Sequence, residues 1–317
     1  MEVTRPAINS YLHYCKTGKR LSAHTLRAYR IDLEQLLAWM EKCDSSTLDR
    51  TCLQGYLAHL NCCFAASSVK RKIASVRAFA AHRSTEQDDQ NPFSSMRISI
   101  REPQRLPRTI TSADLLKLFA ARKTNEDDTP LQRLLSVRDQ AILELLIATG
   151  MRVSELCHLD LESYSMRDSL VRILGKGSKE RLAHLESPVT REALQSYLKI
   201  RGTLLNPSEA RSSESPLFLN RFGNRISEQS VRAIVRNRAH RAGVTAHITP
   251  HMFRHTFATM LLEDNVNLRY IQSFLGHSSV KTTERYTHVA QVRQREILRN
   301  HNPREIIDRN MRNALLG

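Results

Sequence analysis

Histidine, arginine and tyrosine side chains near the C-terminus have the types and spacing needed for phosphoryl chemistry. His251, Arg254, His277 and Tyr286 lie within about forty residues of one another. A tyrosine phenol can attack a phosphodiester, while cationic and hydrogen-bonding side chains hold the phosphate as charge builds on its oxygens. The spacing therefore predicts a site for cutting and rejoining DNA through a covalent tyrosine intermediate.

A helix start is predicted to position His251 and Arg254. Thr249 suits the N-cap, and Pro250 suits the first helical position. His251 and Arg254 are then three residues apart on one face, in the turns where unpaired backbone N–H groups and the helix dipole favour an anion. A capped surface helix with no ligand would show the same pattern.

Two more basic side chains belong to local structures that would present them. Arg152 follows the predicted bend at Gly150, and Glu155, one turn later, could orient it. A surface Arg–Glu pair of little energetic value is the alternative. Lys176 lies between two glycines at a predicted hairpin tip, where it could reach a DNA groove, protonate a leaving group or remain solvated.

His277 and Tyr286 are the most ambiguous of the candidates. His277 follows the helix-ending Gly276, and a histidine in such a turn is more often structural than functional. Tyr286 is one of eight tyrosines, and a packed aromatic with a satisfied hydroxyl is the common role. Only the order and spacing of all the candidates together favour a shared site.

Periodicity predicts a helical N-terminal part. Apolar residues at steps of three and four give Ser22–Lys42 and Ser68–Arg83 one buried stripe each. Shorter amphipathic stretches are Pro6–Cys15 and Leu53–Leu60. The polar face of Ser68–Arg83 is basic and could face either solvent or a DNA backbone. Its candidate DNA contacts are Lys70, Arg71, Lys72 and Arg77.

A basic segment without periodicity follows and indicates a linker over 97–108. It adds Arg97, Arg101 and Arg105 as candidate DNA contacts. Beyond it the sequence predicts helices and one antiparallel hairpin with a glycine-rich tip. These elements are Thr111–Ala121, Leu131–Thr149, Arg152–Leu159, the strands Leu170–Leu174 and Arg181–Leu185, Arg191–Leu204, Ser227–Arg241 and Asn267–Leu275.

Composition and charge indicate which classes of partner and which cellular setting the protein suits. The 317 residues carry a formal net charge of +16, which favours nucleic acid first and an anionic membrane second. No stretch approaches the roughly 20 apolar residues that span a bilayer, and the N-terminus lacks an apolar signal core. The six cysteines form no Cys-x-x-Cys pair, so a zinc ribbon is unsupported. Because five of them lie among apolar residues of the N-terminal part, we expect buried thiols in a reducing cytoplasm.

Taken in order, the six candidates resemble the catalytic set of the tyrosine recombinase (phage integrase-like) family. The resemblance rests on Ala148–Leu156, Gly175–Arg181, His251–Thr259, Val266–His277 and Tyr286–Val289, and the pattern is most similar to the Xer-type and related mobile-element recombinases. It implies a mainly α (α+β) fold that closes as a clamp on DNA. The implied regions are a helical, SAM-like core-binding domain (1–96), the linker (97–108), a catalytic domain (109–302) and a tail helix (303–317).

The resemblance also implies a role for each candidate. Tyr286 would be the nucleophile that leaves a 3′-phosphotyrosyl link, and Arg152 and Arg254 would clamp the non-bridging oxygens. His277 would donate to the same oxygens. Lys176 would be the general acid for the 5′-oxygen, and His251 would accept or position the phenolic proton.

The implied partners are double-stranded DNA with a specific core site and further recombinase protomers. The family resemblance implies a homotetramer on two sites that passes through a Holliday junction, or a heterotetramer with a paralogous recombinase. An accessory DNA-bending or activating protein is also possible in such systems. The apolar stripe on the tail helix suggests docking on a neighbouring protomer, and packing on its own domain is the alternative.

No cofactor is expected. Two arginines can neutralise the transition-state charge without a metal, and the sequence has neither an acidic metal cluster nor a Gly-x-x-x-x-Gly-Lys-[Ser/Thr] motif for ATP. The resemblance places the protein in a bacterial cytoplasm at the nucleoid. A type IB topoisomerase, or a DNA-binding regulator that has lost the chemistry, remains an alternative.

Overall fold

The computed structural model divides the chain into two compact units, Met1–Arg105 and Leu106–Gly317. It describes residues 1–87, 90–94, 96, 98–101, 108–120, 128–175, 180–204, 215–276 and 296–316. Each unit has its own apolar core.

In the described part of the first unit there are four helices, and side-chain caps fix the starts of the first three. The side chains of Thr4, Ser22 and Asp49 each accept a hydrogen bond from a backbone N–H in the first turn of the helix that follows, which satisfies a donor that has no partner within the helix. The helices are α1 (Arg5–Thr17), α2 (Ala23–Lys42), α3 (Arg50–Cys63) and α4 (Ala66–Gln87).

The predicted apolar stripes meet in the core of this unit. Leu33 and Leu36 of α2 and Val76 and Phe79 of α4 are fully buried. The Phe79 ring packs edge-on against Tyr11 of α1, with ring centroids 5.5 Å apart. Burying each such side chain contributes about 1.5–3 kcal/mol, so the amphipathic pattern is sufficient to bring the helices together.

The second unit is mainly helical with one small sheet, as the sequence predicts. Strand β1 (Tyr164–Ser165) pairs antiparallel with β2 (Leu170–Leu174), which pairs antiparallel with β3 (Glu180–His184). The helices are α5 (Ser112–Ala120), α6 (Pro130–Thr149), α7 (Val153–Cys157), α8 (Pro188–Leu204), α9 (Glu228–Arg241), α10 (Pro250–Glu263), α11 (Leu268–Leu275) and α12 (Pro303–Leu316).

Helix α6 is the central helix of this unit, and both of its ends are encoded locally. Thr129 and Gln132 form a reciprocal capping box at the start. Gly150 ends the helix at φ 58°, in the left-handed region that favours glycine. A Cβ at Gly150 would lie 2.6 Å from Cδ1 of Phe257, so α10 packs directly on this bend and places its residues beside the start of α7.

The tail helix α12 packs on its own unit. Ile307 is 2% exposed, and Met311 lies against the same core. Arg304 donates from Nε to Oε2 of Glu144 in α6 at 2.6 Å, and its guanidinium lies over the Phe119 ring. Ile307 and Met311 of the predicted apolar stripe therefore pack on their own unit, against the core that α5 and α6 share. Docking of this helix on a neighbouring protomer stays a prediction.

The cysteines differ in part from expectation. Cys15, Cys52 and Cys157 are buried, whereas Cys43, Cys62 and Cys63 are exposed because they lie at or near helix ends. Among the described residues, no helix is both long enough and apolar enough to cross a membrane.

Candidate active site

Arg152 stands at the start of α7, immediately after the bend at Gly150. Its backbone N–H donates to Oε2 of Glu155 and its Nη1 to Oε1, both at 2.8 Å. The side chain is still 38% exposed. Glu155 therefore fixes the guanidinium from one side, while its other edge stays open to a ligand.

Glu155 is buried and joins two arginines. Its carboxylate also accepts a forked pair of hydrogen bonds from Arg181 of β3, at 3.0 Å to Oε1 and 2.7 Å to Oε2. Burial alone would raise the pKa of Glu155, but the hydrogen bonds from Arg181 and from the Arg152 backbone bring that pKa below its ordinary value. The carboxylate is thus ionised and can hold both cations.

Arg254 enters the same region from α10. Its Nη1 donates to the Gly150 carbonyl at 2.9 Å and its Nη2 to the Leu275 carbonyl at 2.7 Å. Burial lowers the pKa of Arg254 to about 10, and the nearby charge of Arg152 contributes to that decrease. Arg254 is still protonated at neutral pH. The two guanidinium groups of the predicted clamp, Arg152 and Arg254, are therefore both positively charged and close enough to influence each other.

His251 lies one turn before Arg254, with much of its side chain exposed and the rest covered by neighbouring residues. Desolvation of the covered part lowers the pKa of His251, and the positive charges of His255 and Arg232 lower it further. A neutral imidazole can accept a proton at neutral pH. Thr249 occupies the N-cap as predicted, but within the described contacts its side chain makes no cap hydrogen bond.

Lys176, His277 and Tyr286 lie outside the described residues. The chain is described up to Gly175 before Lys176 and resumes at Glu180, and it is described up to Gly276 before His277 and resumes at residue 296. The structure therefore brings together three of the six candidates, Arg152, Arg254 and His251. The catalytic roles of all six stay predictions.

Sequence reasoning missed Arg181, which the structure places at the centre of the cluster. A signal was present in the strand pattern. Arg181 pairs directly with Ile173, whose side chain is fully buried, so both side chains point to the same face of the sheet. A cation on a buried face requires a counter-ion, and Glu155 supplies it.

One predicted DNA contact is wrong. The Lys72 side chain is 3% exposed and forms an ion pair with the buried Asp32 at 3.3 Å. It also donates to Gln35 and lies 4.6 Å from the Phe64 ring centroid. Its position on α4 turns it inward with Val69 and Val76, so it stabilises the core and is not available to a phosphate.

The other candidate DNA contacts differ in their surroundings. Lys70, Arg77 and Arg101 are exposed, and Arg77 lies over the Phe93 ring at 5.2 Å. Arg71 is half exposed and forms an ion pair with Asp32. Arg97 and Arg105 lie outside the described residues.

Comparison with known families assigns both units. Residues 108–293 match the model of the phage integrase family, and residues 8–87 match the phage integrase N-terminal SAM-like domain. The chain belongs to the phage integrase family. It is a tyrosine recombinase, and the family and enzyme class expected from the sequence are confirmed.

Relatives of this recombinase match over nearly their whole length. A tyrosine recombinase of Agathobacter rectalis is 40% identical over 94% of this chain and 96% of that protein. Tyrosine recombinase XerC of Thermodesulfovibrio yellowstonii is 37% identical over 91% and 93%. Tyrosine recombinase XerD of Staphylococcus aureus is 35% identical over 94% and 98%.

Solved structures share the fold of this recombinase. The XerH site-specific recombinase bound to palindromic difH substrate, a post-cleavage complex, superposes with a TM-score of 0.67 at 21% identity, covering 91% of this chain and 83% of that chain. A lambda integrase (75–356) dimer bound to a COC′ core site gives 0.66 at 16%, covering 88% and 96%. The expected mainly helical fold with a small antiparallel sheet is confirmed.

Proposed function

We propose that this recombinase is site-specific and that it cuts and rejoins DNA strands through a 3′-phosphotyrosyl intermediate. The observation that carries the proposal is the closeness of Arg152 and Arg254: Glu155 holds Arg152, the carbonyls of Gly150 and Leu275 hold Arg254, and the charge of Arg152 contributes to the lowered pKa of Arg254. Part of the Arg152 guanidinium is exposed, and a histidine of lowered pKa lies one turn before Arg254. Two cations and a neutral base suit a phosphodiester that acquires negative charge during attack by a phenol.

The roles follow from charge and exposure. Arg152 and Arg254 bind the non-bridging oxygens through N–H groups that their described contacts leave free. His251 accepts the phenolic proton, since its lowered pKa keeps the imidazole neutral. Tyr286 is the nucleophile, Lys176 protonates the departing 5′-oxygen, and His277 donates to the phosphate. The bond broken is P–O5′ and the bond formed joins the Tyr286 oxygen to phosphorus, so the phosphodiester energy is retained for rejoining.

The substrate is duplex DNA with a specific core site. Solved recombinases of similar fold are bound to such sites, and one is a lambda integrase tetramer bound to a Holliday junction. We infer a tetramer on two sites, formed by this chain alone or with a paralogous recombinase, and strand exchange through a Holliday junction in a bacterial cytoplasm. Accessory DNA-bending or activating proteins are possible further partners. The guanidinium pair supplies the charge that a metal would otherwise provide, so we propose a reaction independent of metal and ATP.

Covalent trapping tests this function. Fragmented bacterial DNA is incubated with the protein in EDTA, and the DNA that becomes covalently attached is sequenced to find the recognition site. A duplex that carries this site, with a nick beside the cut, then serves as a suicide substrate. Wild type should form a stable adduct that Tyr286→Phe does not form, although Tyr286→Phe should bind the DNA equally well.

The alternatives give different results in the same system. A topoisomerase-like enzyme would relax a supercoiled plasmid that lacks the recovered site, and its adducts would show no shared sequence. A regulator without the chemistry would bind DNA and form no adduct in any variant. Adduct formation by Tyr286→Phe would eliminate Tyr286 as the nucleophile.

A further inference from the structure

Arg181 is committed to internal contacts. Its Nη1 and Nη2 donate to the two oxygens of Glu155, and its Nε donates to the Phe274 carbonyl at 3.1 Å. The side chain is only 12% exposed. A guanidinium whose Nε and both Nη groups are engaged in this way is poorly placed to bind DNA itself, in contrast to the more exposed Arg152.

The contacts of Arg181 join three elements that surround the candidate site. The residue belongs to β3, its fork holds Glu155 of α7, and its Nε holds the end of α11. The chain after α11 packs tightly on it, since a Cβ at Gly276 would lie 3.2 Å from Cδ of Arg181. One side chain thus fixes the positions of α7 and α11 relative to the sheet.

The charges explain why Glu155 needs Arg181. Its carboxylate is 6% exposed, and a buried carboxylate must be paired and hydrogen-bonded to stay ionised. Arg152 alone offers it one side-chain hydrogen bond and one backbone hydrogen bond, while Arg181 offers two in a planar fork. Without the fork, Glu155 would have to move towards solvent or take up a proton, and either change would release Arg152.

We propose that Arg181 is a positioning residue that holds Glu155, and through Glu155 the guanidinium of Arg152, in the geometry that binds the scissile phosphate. The proposal rests on the function proposed above and assigns to the site a residue that does not contact DNA. A misplacement of about 1 Å in a group that binds a reacting phosphate can cost about 100-fold in rate.

The test compares Arg181→Met with Arg181→Lys and with a matched control, Arg201→Met. Arg201 is also buried and donates from Nε and Nη2 to the carbonyls of Pro216 and Leu217, outside the candidate site. Single-turnover adduct formation is measured on the nicked duplex at saturating protein, beside DNA affinity and thermal unfolding.

We expect Arg181→Met to retain DNA affinity within about threefold and to lose about 100-fold in cleavage rate. Arg181→Lys should recover less than tenfold of that loss, because an ammonium cannot form the planar fork. Arg201→Met should lower the unfolding temperature without slowing cleavage of the remaining folded protein. Equal slowing in Arg181→Met and Arg201→Met at matched stability would overturn the proposal, because it would indicate a general effect of losing a buried arginine.

Two further measurements separate the pathways. In a Glu155→Gln background the carboxylate is absent, so Arg181→Met should cost at least tenfold less than in wild type; equal costs would contradict a route through Glu155. A 5′-bridging phosphorothiolate substrate has a leaving group that needs no acid. It should not restore cleavage by Arg181→Met, and restoration would show that Arg181 acts through the leaving-group acid instead.

A readout without cleavage keeps this proposal separate from the proposed function. Side-chain ¹⁵N NMR should show slowed rotation of the Arg152 guanidinium in wild type and fast rotation in Arg181→Met. Unchanged rotation would refute the positioning role even if wild type cleaves DNA. If wild type forms no adduct, the proposed function fails, while the NMR result still decides whether Arg181 holds Arg152.

Discussion

The buried ion pair between Glu144 and Arg304 joins the tail helix α12 to α6 within the second unit. Replacing Arg304 with Met tests how much this ion pair contributes to stability. Glu144 is fully buried and Arg304 is 3% exposed, with Nε 2.6 Å from Oε2. Met keeps most of the side-chain volume and removes the charge. Glu144 would then be left buried with one remaining described side-chain donor, Nε2 of Gln140 at 2.7 Å.

The expected magnitude follows from that geometry. Removing one partner of a buried ion pair costs about 3–5 kcal/mol, because the other charge stays buried. The remaining hydrogen bond from Gln140 to Glu144 offsets about 1 kcal/mol of this cost. Arg304→Met should therefore destabilise the second unit by about 3 kcal/mol, which corresponds to a fall in Tm of roughly 10 °C for a unit of this size.

Chemical denaturation and calorimetry of the full chain measure this loss in the transition of the second unit. Arg312→Met is the matched control, since Arg312 forms an ion pair with Asp308 in the same helix but is 75% exposed, and its loss should cost less than about 1 kcal/mol. The double variant Glu144→Leu/Arg304→Met should recover most of the stability. A loss below about 1 kcal/mol in Arg304→Met would refute the reasoning. Equal losses in Arg304→Met and Arg312→Met would refute it as well.

Three other perturbations have defined outcomes. Gly150→Ala puts a Cβ at φ 58° and 2.6 Å from Phe257, so denaturation should show a loss of about 2–4 kcal/mol, and a loss under 1 kcal/mol would contradict the packing. The folded-state pKa of His251 is lowered, so wild type should lose stability relative to His251→Gln as pH falls from 6.5 through that pKa. The difference in free energy of unfolding between the two proteins should be constant above about pH 7.5. A difference that is unchanged at about pH 5 would contradict the lowered pKa. Lys72→Met should destabilise the first unit by about 2 kcal/mol and leave the salt dependence of DNA binding unchanged, whereas Arg77→Ala should lower the salt slope by about one with little change in stability; the reverse pattern would restore Lys72 as a DNA contact.

Much of the fold follows from local signals in the sequence. The capping box at Thr129, the left-handed turn at Gly150 and the period of α2 and α4 each depend on neighbours a few residues away, and the predicted helices occur within a few residues of their expected bounds. The hairpin was predicted with β3 displaced by one residue. Strand β1 was missed because two residues carry no period.

The site was predictable only in part, because its key contacts join distant residues. Arg181 reaches Glu155 across 26 positions, and no local pattern indicates which carboxylate a buried arginine will find. The inward turn of Lys72 depends on Asp32, forty positions earlier in the chain. Likewise, the apolar stripe of α12 did not reveal whether its own unit or another protomer covers it.

The central claim, that Tyr286 is the nucleophile, is tested most directly by identifying the side chain that becomes covalently attached to DNA. Adduct trapped on the nicked duplex is digested with nuclease and trypsin, and tandem mass spectrometry locates the nucleotide on the peptide. A 3′-phosphate ester on the phenolic oxygen of Tyr286, with a free 5′-hydroxyl on the released strand, is the predicted result. Attachment to any other side chain, or through a 5′-phosphate, would contradict it.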